Sequence, residues 1–102
     1  VQVAQSVAAG KHDRGILLCG TGVGMGITAN KIKGIRAAVC NDTFTAHETR
    51  AHNDANILCM GGRVIGSGLA RDIVKTWLET PFSQGERHSR RVGKMNALDE
   101  DR

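Results

Sequence analysis

Three apolar runs punctuate the chain, Ile16–Cys19, Ile35–Cys40 and Ile57–Met60, and none of them alternates with polar positions. Continuous runs of this length fit strands of a parallel sheet covered on both faces. The segments between them carry helical signals. Ile27 to Lys33 predicts a short helix with Gly34 as its stop. Asp42 stands where it can cap a helix from Thr43 to about Ala51. Ile65, Leu69, Ile73 and Trp77 recur every four residues, a helical stripe ended by Pro81. Ser89 stands where it can cap a last helix, with Val92, Met95 and Leu98 on one side. Val1 to Ala9 places Val3 and Val7 on one face before Gly10, and reads as the tail of another helix.

Strands alternating with helices predict an α/β fold, a three-layer α/β/α sandwich around a parallel, Rossmann-like sheet. One domain is expected over residues 1–102, with a C-terminal helical extension over 84–102. Such sheets gather ligands at the carboxyl ends of their strands. No strand precedes the first helical segment, and about three strands make a thin sheet. The expectation is of a fold truncated at its N-terminal side.

Composition narrows the functional classes. With 102 residues, 40% of them hydrophobic and 24% charged, the chain fits one small soluble domain with a modest core. No apolar run approaches the roughly 18 residues of a membrane span, so no membrane partner is expected. The net charge of +4 arises from lysines and arginines interspersed with acids. Only Phe44, Phe82 and Trp77 are aromatic, too few for stacking on bases, so an anionic small molecule fits better than nucleic acid. Cys19, Cys40 and Cys59 share no paired spacing; neither a disulfide framework nor a metal site follows, and reduced thiols point to the cytoplasm.

The chemistry concentrates at Cys19-Gly20-Thr21-Gly22-Val23-Gly24-Met25-Gly26. The spacing fails both the dinucleotide fingerprint and the P-loop. What remains is a glycine-rich turn from strand to helix, whose free amides suit an anion or an oxyanion. Alternating glycines exceed what a tight turn alone requires. A cysteine before such amides carries a larger thiolate fraction and serves as base or nucleophile. A buried core thiol is the commoner fate, and it is the one expected for Cys40 and Cys59. His52-Asn53-Asp54-Ala55-Asn56 offers a possible acid–base histidine; taken alone, it is read as an Asx-rich turn with a solvated histidine. Arg87, Arg90 and Arg91 with His88 form a basic cluster suited to phosphate, although most such clusters are solvated surface.

Together these residues closely resemble the type B ribose-5-phosphate isomerases, whose family includes galactose-6-phosphate isomerase subunits. The resemblance rests on Cys19 to Gly24, Ala29-Asn-Lys31, Gly34-Ile-Arg-Ala-Ala38, His52 to Asn56, Gly62 to Gly66, Arg87-His88 and Arg91-Val92. It implies a cofactor-free aldose–ketose isomerase working through an enediolate, with ribose 5-phosphate and ribulose 5-phosphate as the pair. Cys19 would be the base, and the amides of Gly20, Gly22 and Gly24 with the Thr21 hydroxyl would stabilise the oxyanion. His52 would assist ring opening and Asn53 would bind the sugar. Arg87 and Arg91 would hold the phosphate, with Arg63 nearby. A second branch of the family places a glutamate where this chain has Met25, so Cys19 aligns the chain with the cysteine branch. The resemblance also implies a homodimer, or a dimer of dimers, with each site shared between subunits. Family members begin with a strand ending in Asp-His, then a helix and a second strand, none of which precedes Val1 here. Two other readings stay open: a hexose 6-phosphate substrate such as galactose or allose, and a module that binds a sugar phosphate without turning it over.

Overall fold

The Asp42 carboxylate accepts from the Thr45 amide at 2.6 Å and from its hydroxyl at 3.0 Å, satisfying a free donor at the start of a helix. That helix covers Thr43–Ala51, the span predicted from the sequence. The computed structural model describes residues 1–101. In chain order the elements are α1 (Gln2–Ala8), β1 (Gly15–Cys19), α2 (Val23–Ala29), β2 (Ala37–Val39), α3 (Thr43–Ala51), β3 (Ile57–Gly61), α4 (Ser67–Glu79) and α5 (Glu86–Ala97). A short 3-10 turn, Leu98–Asp101, follows.

The three strands are parallel and ordered β1-β3-β2, so the last strand in sequence is central. Gly15 pairs with Ile57 and Cys19 with Gly61 on one side, while Ala37 pairs with Ile57 on the other. All five residues of β3 are buried. Its odd positions, Ile57 and Cys59, pack with Ala4, Val7, Ala29 and Ile35 beneath α1 and α2. Its even positions, Leu58 and Met60, pack with Cys40, Ala46, Ile73 and Trp77 beneath α3 and α4. This is the three-layer α/β/α sandwich expected. Full burial of Leu58, Ile73 and Trp77 contributes about 1.5–3 kcal/mol or more for each side chain.

Four expectations change. The run at β1 predicts a strand covered on both faces, yet Ile16 and Leu18 are 39% and 58% exposed; among the described residues β1 pairs with β3 alone. In the α4 stripe, Ile73 and Trp77 are fully buried, whereas Leu69 is exposed and Ile65 precedes the helix. The second helix begins at Val23 rather than Ile27, because Gly22 serves as its N-cap and the next glycines continue into the helix. The last helix begins at Glu86 with Gly85 as N-cap, so Ser89 lies inside it. Glu86 in the first turn suits the positive end of the helix dipole.

In a parallel sheet each helix returns the chain to the amino edge of the strands. The α4 end is fixed there by Arg14, which precedes β1 and donates to the carbonyls of Trp77 (3.2 Å) and Leu78 (3.0 Å). The α5 segment crosses the same edge. Arg36 Nη1 donates to Asn96 Oδ1 at 2.9 Å, and the Gly34 amide donates to Asp99 Oδ2 at 2.8 Å. Among the described residues no helix is long and apolar enough to cross a membrane.

Candidate active site

At the carboxyl end of β1 the chain turns sharply into α2, and Gly22 makes the turn possible. Its φ of 83° lies in the left-handed region, and a Cβ there would stand 3.1 Å from the Met60 carbonyl carbon. The turn brings the Gly22 N–H to the Cys19 sulfur, to which it donates at 3.0 Å. An amide aimed at sulfur stabilises negative charge on it. The Val23 N–H is taken by Thr21 Oγ1 at 3.2 Å, which holds the Thr21 side chain over the first turn of α2. Gly20 stays exposed, and the Gly24 carbonyl accepts from Thr28 Oγ1 at 2.9 Å.

The loop is braced by the segment after β3. The Gly62 N–H donates to the Cys19 carbonyl at 2.6 Å and the Arg63 N–H to the Gly20 carbonyl at 3.1 Å. Arg63 therefore lies beside the loop. Gly61 permits the contact, since a Cβ there would stand 2.8 Å from Thr21 Cα. Gly61 is not among the site residues expected from the sequence, although paired glycines directly after an apolar run mark such a close approach.

Cys19 is half-buried, whereas Cys40 and Cys59 are buried. Burial pushes the Cys40 thiol above its ordinary range, and burial followed by the other two sulfurs pushes Cys59 up to about 11. Both stay protonated core residues.

His52 and Asn53 lie elsewhere. His52 caps the C-terminus of α3, at the amino edge of the sheet. Its ring stacks on His88 of α5 with centroids 4.1 Å apart and planes at 27°. Its Nδ1 meets the Glu48 carboxylate, one turn earlier on α3. Loss of hydration lowers the His88 pKa first, and the charges of His52, Arg87 and Arg91 lower it further against the opposing pull of Glu48. Arg87 and Arg91 are exposed on α5 beside this stack. Asn53 lines a cavity of about 360 Å³ between the β2 edge and α5, with Arg36, Thr49 and Met95.

Asp54 and Asn56, later in the same segment, make contacts within the fold. Asp54, at φ 50°, takes Arg50 at 2.8 Å and Arg36 at 3.5 Å. Asn56 accepts from the Arg36 amide and donates to the Gly34 carbonyl, both at 2.8 Å.

The predicted site residues thus form two clusters. Cys19, Gly20, Thr21, Gly22, Gly24 and Arg63 stand at the carboxyl end of the strands. His52, Asn53, Arg87 and Arg91 gather at the amino edge. Four residue steps from Gly15 to Cys19 separate the two ends by about 13 Å of strand. One chain does not bring the clusters together. Among the described residues no group of three or more acidic, cysteine or histidine side chains could hold a metal ion.

A family model described as Ribose/Galactose Isomerase matches residues 1–95. The chain belongs to that family. It is 50% identical over 101 residues to ribose-5-phosphate isomerase B of Escherichia coli, covering 99% of this chain and 67% of that protein. It is 52% identical over 83 residues to the D-erythrulose-4-phosphate isomerase of Pectobacterium atrosepticum, covering 81% of this chain and 55% of that one. The solved ribose-5-phosphate isomerase B of Clostridium thermocellum superposes with a TM-score of 0.95 at 53% identity, covering 98% of this chain and 67% of the other. The chain therefore spans at most about two thirds of the length of these relatives.

Proposed function

We propose that this protein is an aldose–ketose isomerase that interconverts ribose 5-phosphate and ribulose 5-phosphate. The observation that carries the reading is the Cys19 sulfur at the mouth of the glycine turn, held by the Gly22 amide. Membership of the ribose/galactose isomerase family supports the substrate class. The Cys19 thiolate removes the proton from C2 of the open-chain aldose. The electron pair forms the C1–C2 double bond, and O1 becomes the anion of an enediolate. The Thr21 hydroxyl and the amides of Gly20, Gly22 and Gly24 offset that charge. O2 then gives its proton up to O1, and Cys19 returns its own proton to C1, leaving the ketose.

His52 opens the furanose ring beforehand, Asn53 binds the sugar, and Arg87 and Arg91 take the phosphate, with Arg63 on the loop side. Because Cys19 and His52 stand at opposite ends of the sheet, a complete site takes the loop from one copy and the His52 cluster from another. A homodimer is the smallest assembly that meets this need. The unpaired thiols suit a cytoplasmic enzyme. The test is formation of ribulose 5-phosphate from ribose 5-phosphate by the intact protein. Turnover that Cys19→Ala leaves at its original rate would remove the base assignment; saturable binding of ribose 5-phosphate with no turnover would establish the binding module instead.

A further inference from the structure

The use of a histidine as a base depends on where its single proton sits when the ring is neutral. With the proton on Nδ1, the Nε2 lone pair is free to accept another; with it on Nε2, that position is blocked. The hydrogen bond made by one ring nitrogen decides the state of the other. In this chain the His52 Nδ1 faces Oε2 of Glu48, and the i,i+4 spacing on α3 sets the two side chains on one helix face. The second Glu48 oxygen lies 3.5 Å from His47 Nδ1. The face of the His52 ring rests on His88, whose own Nδ1 is held by Ser83 Oγ at 2.6 Å. The nearby Asp54 carboxylate is occupied by Arg36 and Arg50. Of the charged groups about His52, Arg87 and Arg91 on α5 are cations and cannot accept its proton.

We infer that Glu48 is a positioning residue for His52: its carboxylate accepts the Nδ1 proton, fixes the neutral ring with Nε2 unprotonated, and presents Nε2 to the sugar. The inference rests on the isomerase reading for its chemical purpose. In ring opening, Nε2 takes the proton from the anomeric hydroxyl O1–H. The C1=O1 bond forms as C1–O4 breaks, and the imidazolium returns that proton to O4. The negative Glu48 stabilises the imidazolium between these transfers, while the His88 stack keeps the ring from turning. His52 and Cys19 thus serve separate steps, and Glu48 belongs to the first.

Two measurements test this. The first is nitrogen-15 NMR of the imidazoles in the intact protein, with His52→Asn used to assign the signal. At a pH where the ring is neutral, His52 should carry its proton on Nδ1. Glu48→Gln should keep that state, because its amide oxygen still accepts. Glu48→Ala, which suits a helix interior, should move the proton to Nε2. A wild-type His52 protonated on Nε2, or a state unchanged in Glu48→Ala, overturns the inference whether or not the protein is an isomerase.

The second compares two aldoses. Erythrose 4-phosphate has its O4 esterified and forms no furanose, so its isomerisation skips ring opening. Glu48→Ala should lower kcat/KM on ribose 5-phosphate about tenfold or more, a part of what a general acid–base group supplies. On erythrose 4-phosphate it should change little, and Glu48→Gln should recover most of the loss. Equal loss on both sugars, or none on ribose 5-phosphate, overturns the positioning role. A wild-type protein that turns over neither sugar removes the isomerase reading, and the NMR result then decides the Glu48 contact on its own.

Discussion

Adding one methyl group at Gly61 should disable the loop that carries Cys19. The Cβ of Gly61→Ala would lie 2.8 Å from Thr21 Cα and 2.9 Å from its carbonyl carbon and oxygen. All three are backbone atoms, so no side chain can swing aside. Ordinary contact starts at 3.4 Å, which requires the Thr21 backbone to retreat by about 0.6 Å. Overpacking of this kind costs about 1–3 kcal/mol. In a domain of this size each kcal/mol lowers Tm by about 4–8 °C. The same retreat shifts the Gly22 amide off the Cys19 sulfur and, under the proposed mechanism, the Thr21 hydroxyl off the developing oxyanion. A displacement of about 1 Å costs about 10²-fold in rate, so a loss of about tenfold or more in kcat/KM is expected. Gly62→Ala is the control, because its nearest neighbour would be the Cys19 carbonyl oxygen at an ordinary 3.6 Å. Melting curves and initial rates on ribose 5-phosphate measure both effects. A Gly61→Ala protein with the Tm and kcat/KM of wild type, or a Gly62→Ala protein equally impaired, would refute the argument.

Other expectations follow from the same geometry. Cys19→Ala and His52→Asn should each lose about two to four powers of ten in kcat. Mixed by co-expression they should regain about one quarter of wild-type activity, because half the dimers then hold one intact site; no recovery would mean that the site is not shared. Ile73→Ala, at a fully buried position between α4 and β3, should cost about 2–5 kcal/mol in denaturant unfolding, whereas Leu69→Ala, half out of the same helix, should cost much less. The lowered His88 pKa means that the folded state takes up the proton later than the unfolded chain does. Its neutral stack on His52 is therefore fully present above the ordinary histidine range, near pH 6.5, and weakens as pH falls through and below it. His88→Gln should flatten the fall in Tm over that interval; an unchanged profile would assign the fall to other groups. Alkylation near pH 8 should reach Cys19 well before Cys59, whose thiol is buried and pushed up to about 11, and mass mapping of the labelled peptides gives the order.

What the amino-acid sequence determined by itself was local. Asp42 and Thr45 are three residues apart, so the cap and the whole of α3 follow from chemistry within one turn. Continuous apolar runs marked all three strands, and a cysteine before alternating glycines marked the turn that aims an amide at sulfur. The start of α2 escapes the sequence pattern because glycines normally argue against helix, whereas Gly22 caps it in a left-handed conformation, packed so close to the Met60 backbone that a Cβ would stand 3.1 Å away. Only the tertiary structure decided which strand is central. Strand order depends on pairing between positions 42 residues apart (Gly15 with Ile57) and 20 apart (Ala37 with Ile57), and no local signal records that, among the described residues, Ile57–Gly61 pairs on both sides while Gly15–Cys19 pairs on one. Packing likewise set His52 against Glu48 and against His88, whose ring is held by Ser83, because the ring stack needs α5 to cross the amino edge of the sheet. The separation of Cys19 from His52 has the same origin. A helix following a parallel strand must run back along it, so residues at the end of β1 and at the end of α3 finish on opposite edges. Spacing along the chain brought both residues to notice, and the direction of the returning helix placed them at opposite edges of the sheet.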